Sequence, residues 1–457
     1  MGLLLGSGST KPQYPYDQWY GVQGDFTSQD YKLTRVGNLD LHRTLPIQNK
    51  LRRYVENEDG TVNFYLHQND SRLNESGATA DITGASGNVM LEVPEDYFRL
   101  EIRGTKWVYA ISEYPLPGFT KRPAMSISPW YGTYNTSTSK PQSGCFLTWD
   151  GDVIARDENG LPIFAEGAES CRGGNNQSSY DGTYRSLIGM GRTSVAKDTV
   201  RGWCTAAGNG IHHGAYRAFN RIAWLQRLEY ASLHCQDTYT ATLTDDGFHQ
   251  GGLGSGPTVD WGQWSTHNGN NPFVPSGVTA ILGNNTGRLD YTIKNWANGG
   301  TDKVVTVTSY RGLEVPFEYL WLLADDALVR HGYPSATKST FYLCDDPTKF
   351  TSPSDSATKV PDGYIATTEI PLGTSNYIAT EEFTAGGISF PNSVTGGSSN
   401  KGFCDMYYQP GAGSTGWYGA LLSGYADHGA YAGFGYLDAL YRSSRAIASI
   451  GFRLCRN

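Results

Sequence analysis

Apolar and polar positions alternate with period two in several short runs between Lys50 and Phe119. Val62-Asn63-Phe64-Tyr65-Leu66 and Val89-Met90-Leu91-Glu92-Val93 are rich in β-branched and aromatic residues. Phe98-Arg99-Leu100-Glu101-Ile102-Arg103 alternates apolar with charged side chains. Lys106-Trp107-Val108-Tyr109-Ala110-Ile111 follows after Gly104. Each run reads as a strand. Pro115, Pro117, Gly118 and Pro123 then interrupt the pattern and place a domain boundary near 120. Further on the period lengthens. Phe219, Ile222, Leu225, Leu228 and Ala231 recur at three- and four-residue spacing, which predicts an amphipathic helix over about Tyr216 to Gln236. A shorter helix is expected over about Ser194 to Ala207, with Thr193 or Ser194 as N-cap and Gly208 beyond its end. From Thr238 to Asn457 the chain reads as loops and short strands, with flexible stretches at Gly251 to Pro257 and Gly396 to Gly402. There are no heptads and no fixed-period repeat. So much loop in a folded unit needs a purpose, and presenting a binding surface is one.

The first 50 residues carry little periodicity. Their run KPQYPYDQWYGVQGDF is rich in Pro and Tyr. Left in water, so many aromatics would be costly, so the segment is expected to be an extended arm that packs on another chain.

Composition narrows the classes. The 457 residues include 18% charged and 13% aromatic side chains, with 56 Gly and 30 Tyr. This is neither a disordered nor a coiled-coil composition. The net charge of −8 and the lack of a dense Lys/Arg run argue against a nucleic-acid partner, because phosphate contacts need a basic footprint. No stretch approaches the roughly 20 apolar residues of a membrane span. The start, MGLLLGSGST, has no basic flank, and Gly6 breaks the myristoylation pattern, so a protein made in a reducing cytoplasm is expected. Cys145, Cys171, Cys204, Cys235, Cys344, Cys404 and Cys455 are odd in number and widely spaced. They read as reduced, buried small hydrophobes rather than a disulfide framework or a zinc site.

Few motifs suggest chemistry. Gly252-Leu253-Gly254-Ser255-Gly256 lacks the Lys-Ser/Thr of a phosphate loop and reads as a turn. His212-His213 would diverge on a helix, so capping or surface roles are expected. Asp325-Asp326 and Asp345-Asp346 read as turn or surface carboxylates, with a Ca²⁺ ligand as the alternative. No nucleophile elbow or Cys/His signature is present. No cofactor, no metal and no enzymatic activity are expected.

The most informative stretch is Phe403 to Asn457. Tyr407, Tyr408, Trp417, Tyr418, Tyr425, Tyr431 and Tyr436 recur at irregular spacing, separated by Gly, Ala, Ser, Asp and His. Tyr with small polar spacers is the composition of a recognition surface. The run from Gly411 to Gly435 is too Gly-rich for a helix or strand, so these rings are expected on exposed loops. Asp427, His428 and Asp438 join them as receptor-contact candidates. Arg442 to Arg453 looks like rigid framework.

The closing motif Tyr441-Arg-Ser-Ser-Arg-Ala-Ile-Ala-Ser-Ile-Gly-Phe-Arg-Leu resembles the end of the formylglycine-generating-enzyme type of C-type lectin fold. Arg311-Gly-Leu-Glu-Val-Pro-Phe-Glu-Tyr-Leu-Trp-Leu-Leu-Ala-Asp325 resembles that family's Gly-Asn-x-Trp-Glu-Trp region, with Trp321 as its buried Trp. The family's close reactive Cys pair is absent here, so the activity is not carried over. Thr34-Arg-Val-Gly-Asn-Leu-Asp-Leu-His-Arg-Thr-Leu-Pro-Ile-Gln48, Asp59-Gly-Thr-Val-Asn63 and Thr83-Gly-Ala-Ser-Gly-Asn-Val-Met90 are similar to segments of large virion proteins of phages infecting gut Bacteroidetes. So are Arg172-Gly-Gly-Asn-Asn176 and Gly251-Gly-Leu-Gly254. The C-terminal Tyr, Asp and His palette also resembles the variable region of phage receptor-binding proteins diversified by retroelements.

These resemblances imply an α+β chain. An N-terminal virion-attachment arm (1–50) and a β-rich domain (51–122) would precede a large C-type lectin-like receptor-binding domain (123–457) with two helices and long loops. The implied function is that of a structural virion protein, in a head or tail fibre, binding a host-surface glycan or protein. It would form a homo-oligomer, expected as a trimer, and contact other virion proteins through the arm. The rival readings are a decoration protein without a receptor and an enzyme on the same fold.

Overall fold

The alternating runs form strands where the sequence places them. The computed structural model describes residues 16–150, 153–154, 163–165, 168–176, 188–266, 272–293 and 302–457. A five-stranded antiparallel sheet sets Thr34–Gly37, Tyr20–Asp25, Lys106–Ser112, Asp96–Arg103 and Thr120–Arg122 side by side. Tyr20 and Val22 are fully buried within it. From Tyr20 onward the expected arm is therefore a strand of its own chain's sheet, because its aromatic and apolar side chains find cover there. Residues 1–15 of that arm lie outside the described residues.

A six-stranded sheet orders Cys455–Arg456, Met125–Ile127, Val89–Val93, Arg52–Glu56, Val62–His67 and Asp70–Asn74. The last strand of the chain pairs with Met125–Ile127, Ile127 opposite Cys455, which itself pairs with Val89–Val93. One apolar cluster runs from Tyr20 to Cys455. The boundary expected at 122 does not separate two cores: sheet and core both cross it.

The largest sheet, eight-stranded, is organised on the 11-residue strand Trp321–His331. Lys338–Cys344 and Gly416–Leu422 flank this strand in antiparallel register, and Ile450–Gly451 pairs with its start in parallel. Strand outweighs helix across the described residues. Among them, no helix is long and apolar enough to cross a membrane. All seven cysteines are buried.

The helices depart from expectation in instructive ways. The first, Lys197–Ala207, starts after Ala196 and stops at Gly208, whose φ of +71° suits a residue without Cβ. The second, Tyr216–Tyr230, is not amphipathic: it is buried on every face. Asn220, Arg221 and Glu229 are paired instead of solvated, while Gln226 is buried with no side-chain hydrogen bond among the described residues. Arg221 bonds Asp96 and Glu229 bonds Arg311, while Arg227 lies near Glu381 and over the rings of Trp224 and Phe403. Trp224 stacks on Tyr109 of the first sheet at 4.4 Å and 9°. Gly251–Pro257, expected to be flexible, is folded in, with Leu253 fully buried.

Candidate functional site

Gly416–Leu422 runs through the middle of the largest sheet, which corrects the expectation that Gly411 to Gly435 is all loop. Leu422 leads into Ser423 and Gly424, both at positive φ, 73° and 72°. The chain then turns outward through Tyr425, Ala426, Asp427 and His428 into the short 3-10 turn Gly429–Tyr431. It returns through Gly433, where a Cβ would lie 1.9 Å from Asp405 Oδ1, so the return needs glycine. It re-enters the sheet as Leu437–Asp438.

This path divides the expected contact residues. Tyr407, Trp417, Tyr418, Tyr436 and Asp438 are buried and are not surface groups. Strands hold Tyr407, Trp417, Tyr418 and Asp438 in the core, and a turn from Gly433 brings Tyr436 there. Trp417 packs on Tyr342 at 4.9 Å and its Nε1 donates to the Ala357 carbonyl at 2.9 Å. Tyr418 stands on edge to His331 at 4.4 Å. Tyr407 packs on Phe341. The Tyr436 hydroxyl accepts from Trp321 Nε1 at 3.2 Å and faces Asp438 Oδ2 at 3.4 Å. Burial lifts the Asp438 carboxyl to about 7, against the hydrogen bonds of Leu440 N and Tyr436.

Tyr408, Tyr425, Asp427, His428 and Tyr431 do reach the surface, and the fold brings them together. Tyr425 packs on Trp321 at 4.4 Å and on His428 at 4.1 Å. His428 lies nearly parallel to Tyr408, with centroids 5.8 Å apart. Burial pushes the His428 imidazole down to about 3, so it is neutral at pH 7. Asp427 Oδ2 lies 3.4 Å from the Tyr425 hydroxyl, and its Oδ1 accepts the backbone N–H of Trp261 at 3.0 Å. That last bond draws in a residue the sequence reading missed. Trp261, at the start of the short helix Trp261–Thr266, is 47% exposed and stands perpendicular to Tyr425 at 6.2 Å. Its neighbour Trp264 is fully buried against Phe273 and anchors the helix. Tyr377 is the second addition, 5.7 Å from Tyr431, which is 44% exposed. The Trp-Gly-Gln-Trp pattern at 261–264 was the available signal for Trp261; Tyr377 had none. The result is a chain of aromatic side chains, Trp261, Tyr425, His428 and Tyr408, with the Tyr431–Tyr377 pair beside it and Asp427 at the rim.

The other chemistry-bearing residues sit elsewhere. His212 and His213 are buried, not surface groups. His213 Nε2 lies 3.6 Å from Asp325 Oδ2, and Arg201 clamps the same carboxylate at 2.5 and 2.7 Å. Burial raises the Asp325 carboxyl, but His213, Lys197 and Arg201 outweigh it and hold it at about 2. Asp326, also buried, accepts the backbone N–H groups of Tyr216 and Arg217 at 2.9 and 3.0 Å and caps the second helix. Asp325-Asp326 is therefore an internal ion-pair and capping element, not a turn. A cleft of about 320 Å³ beside it is lined by Arg201, Cys204, His212 and Phe350 among others. Arg201 spends its guanidinium on Asp325, Asp198 and Ser352. Asp346 caps its own 3-10 turn through Thr348 N. Among the described residues, no group of three or more His, Cys, Asp or Glu could hold a metal ion. No protein-family model matches this chain, and a search of curated proteins finds no match.

Proposed function

We propose that this chain is a structural component of a phage virion that binds a host-surface glycan or protein through the aromatic face around Tyr425. The observation that carries the reading is the set Trp261, Tyr377, Tyr408, Tyr425 and Tyr431, gathered on one surface from segments far apart in sequence. Aromatic rings that are large, rigid and part-exposed give contact area at low entropic cost. Their faces stack on sugar C–H surfaces, and Asp427 accepts hydroxyl hydrogen bonds. The mechanism is binding without turnover. In this reading the chain assembles with copies of itself, as a trimer, and with other virion proteins, and several copies supply avidity to weak single contacts.

The finer fold assignment belongs to the same proposal. A C-type lectin-like arrangement is supported by the buried Trp321 on the central strand, by Ile450–Gly451 pairing parallel to it, and by the two helices. Diversification of the C-terminal surface is proposed only for the surface positions, Tyr408, Tyr425, Asp427, His428 and Tyr431. Sibling genes that varied instead at the buried Tyr407 or Trp417 would contradict it.

The test is adsorption of full-length protein to gut Bacteroidetes cells. Trp261→Ala with Tyr431→Ala should lower cell binding at least tenfold, while Tyr114→Ala, exposed elsewhere, should not change it. Unchanged adsorption by the double variant would refute the assignment.

A further inference from the structure

His428 occupies an unusual position within that face. Its imidazole centroid lies 4.1 Å from the ring of Tyr425, 5.0 Å from Tyr436, 5.2 Å from Trp321 and 5.8 Å from Tyr408. Tyr408 and Tyr436 lie within 20° and 35° of parallel to the imidazole, and Tyr425 and Trp321 close the sides at 62° and 71°. A cation is attracted to an aromatic ring when it lies over the ring's face within about 6 Å of the centroid. A positive charge at the imidazole position would lie within that distance of all four ring centroids at once. Among the described residues, no Lys or Arg lies over any of these four rings, so the box has no cation of its own. Asp427 adds a carboxylate beside Tyr425 at the rim.

We infer that Trp321, Tyr408, Tyr425 and Tyr436 form a cage for a quaternary or methylated ammonium group, and that His428 fills this cage until such a ligand displaces it. The inference rests on the reading that this face binds a ligand, and names the chemistry it takes. Aromatic cages of this kind select alkylammonium over neutral groups of the same shape. His428 suits the role of resident occupant. The residue as a whole is only part-buried. Its Nδ1 is 3.4 Å from Tyr425 N, a long contact. The segment around it is tied to the rest of the fold through Ala426, through Asp427 to Trp261 N and through Gly429 O to Gln236, none of which needs the imidazole. Rotation about the His428 side-chain bonds empties the box without moving these ties.

The probe is tetramethylammonium, followed by saturation-transfer NMR on the full-length protein, with tert-butanol as a neutral group of like shape. His428→Ala should bind tetramethylammonium at least tenfold more tightly than the native protein and should show no comparable gain for tert-butanol. Adding Tyr408→Leu should remove the gain. Equal gains for both probes, or none for tetramethylammonium, would overturn the inference. A second measurement uses the native protein. Modification of His428 by diethyl pyrocarbonate should accelerate in tetramethylammonium chloride relative to sodium chloride at equal ionic strength, and an unchanged rate would also count against the cage. Neither readout depends on cell adsorption. Failure of the cage leaves the Trp261 and Tyr431 result standing, and failure of adsorption leaves the probe result interpretable.

Discussion

Two tyrosines in the same segment, Tyr407 and Tyr431, show how differently one residue type is used here. Tyr407 is fully buried against Phe341, whereas Tyr431 keeps 44% of its surface in water. The sequence offers both in similar company, with Gly, Ala or Asp nearby. The difference lies in what surrounds the backbone: a strand of the largest sheet for Tyr407, a solvent-facing 3-10 turn for Tyr431. Truncation should separate these roles. Trp417→Ala removes a fully buried ring and its bond to Ala357, and should cost about 3–5 kcal/mol of stability in chemical denaturation. Tyr431→Ala loses only a part-exposed ring and should shift stability by about 0.5 kcal/mol or less. A large loss for Tyr431→Ala would mean that it belongs to the core and not to the contact face.

Elements repeat the contrast. The strands at 62–67, 89–93, 96–103 and 106–112 were legible because each has a period-two pattern or a dense β-branched run. Gly416–Leu422 was not, since it is buried on both sides and has no alternation to read. The second helix was found by its apolar spacing but misjudged in its surroundings. The partners that let its polar face stay buried, Asp96, Glu381 and Arg311, come from distant positions that no local pattern reveals. Its start is supplied the same way: Ala215 cannot cap it, and Asp326 from the central strand does. Asp326→Ala should therefore cost about 2 kcal/mol, the upper range for a lost cap. Asp326→Asn keeps one acceptor oxygen and should recover part of that. Equal stability of the Ala variant and the native protein would show that the cap contributes nothing.

Across the whole molecule, the shared core encloses acidic groups that resist ionisation. Burial lifts Asp405 to about 8 against the pull of Arg227, and lifts Glu318 and Asp438 to about 7 against their hydrogen bonds. In the unfolded chain these carboxyls titrate near 4. The native state therefore holds protons that the unfolded state has released. Their stabilisation is complete below about pH 4 and is lost as the pH rises through 7 and 8. Buried histidines act in the opposite sense. Burial lowers His212 and His428 to about 3, and His42, His213 and His331 to about 4. In the native state they stay neutral near pH 7, whereas in the unfolded chain each is still half protonated at about pH 6.5, so their destabilising effect fades as the pH rises toward 8. Between pH 6.5 and 8 the carboxyls and the histidines therefore oppose one another. Raising the pH across that interval should cost about 1 kcal/mol net, the carboxyls losing about 3 and the five histidines returning about 2, with Asp405 the largest single contributor. Chemical denaturation at the two pH values measures the loss. Asp405→Asn, which has no proton to release, should show no loss over the same interval. An equal loss in the variant and the native protein would mean that the carboxyl near Arg227 and Glu381 is already ionised at neutral pH.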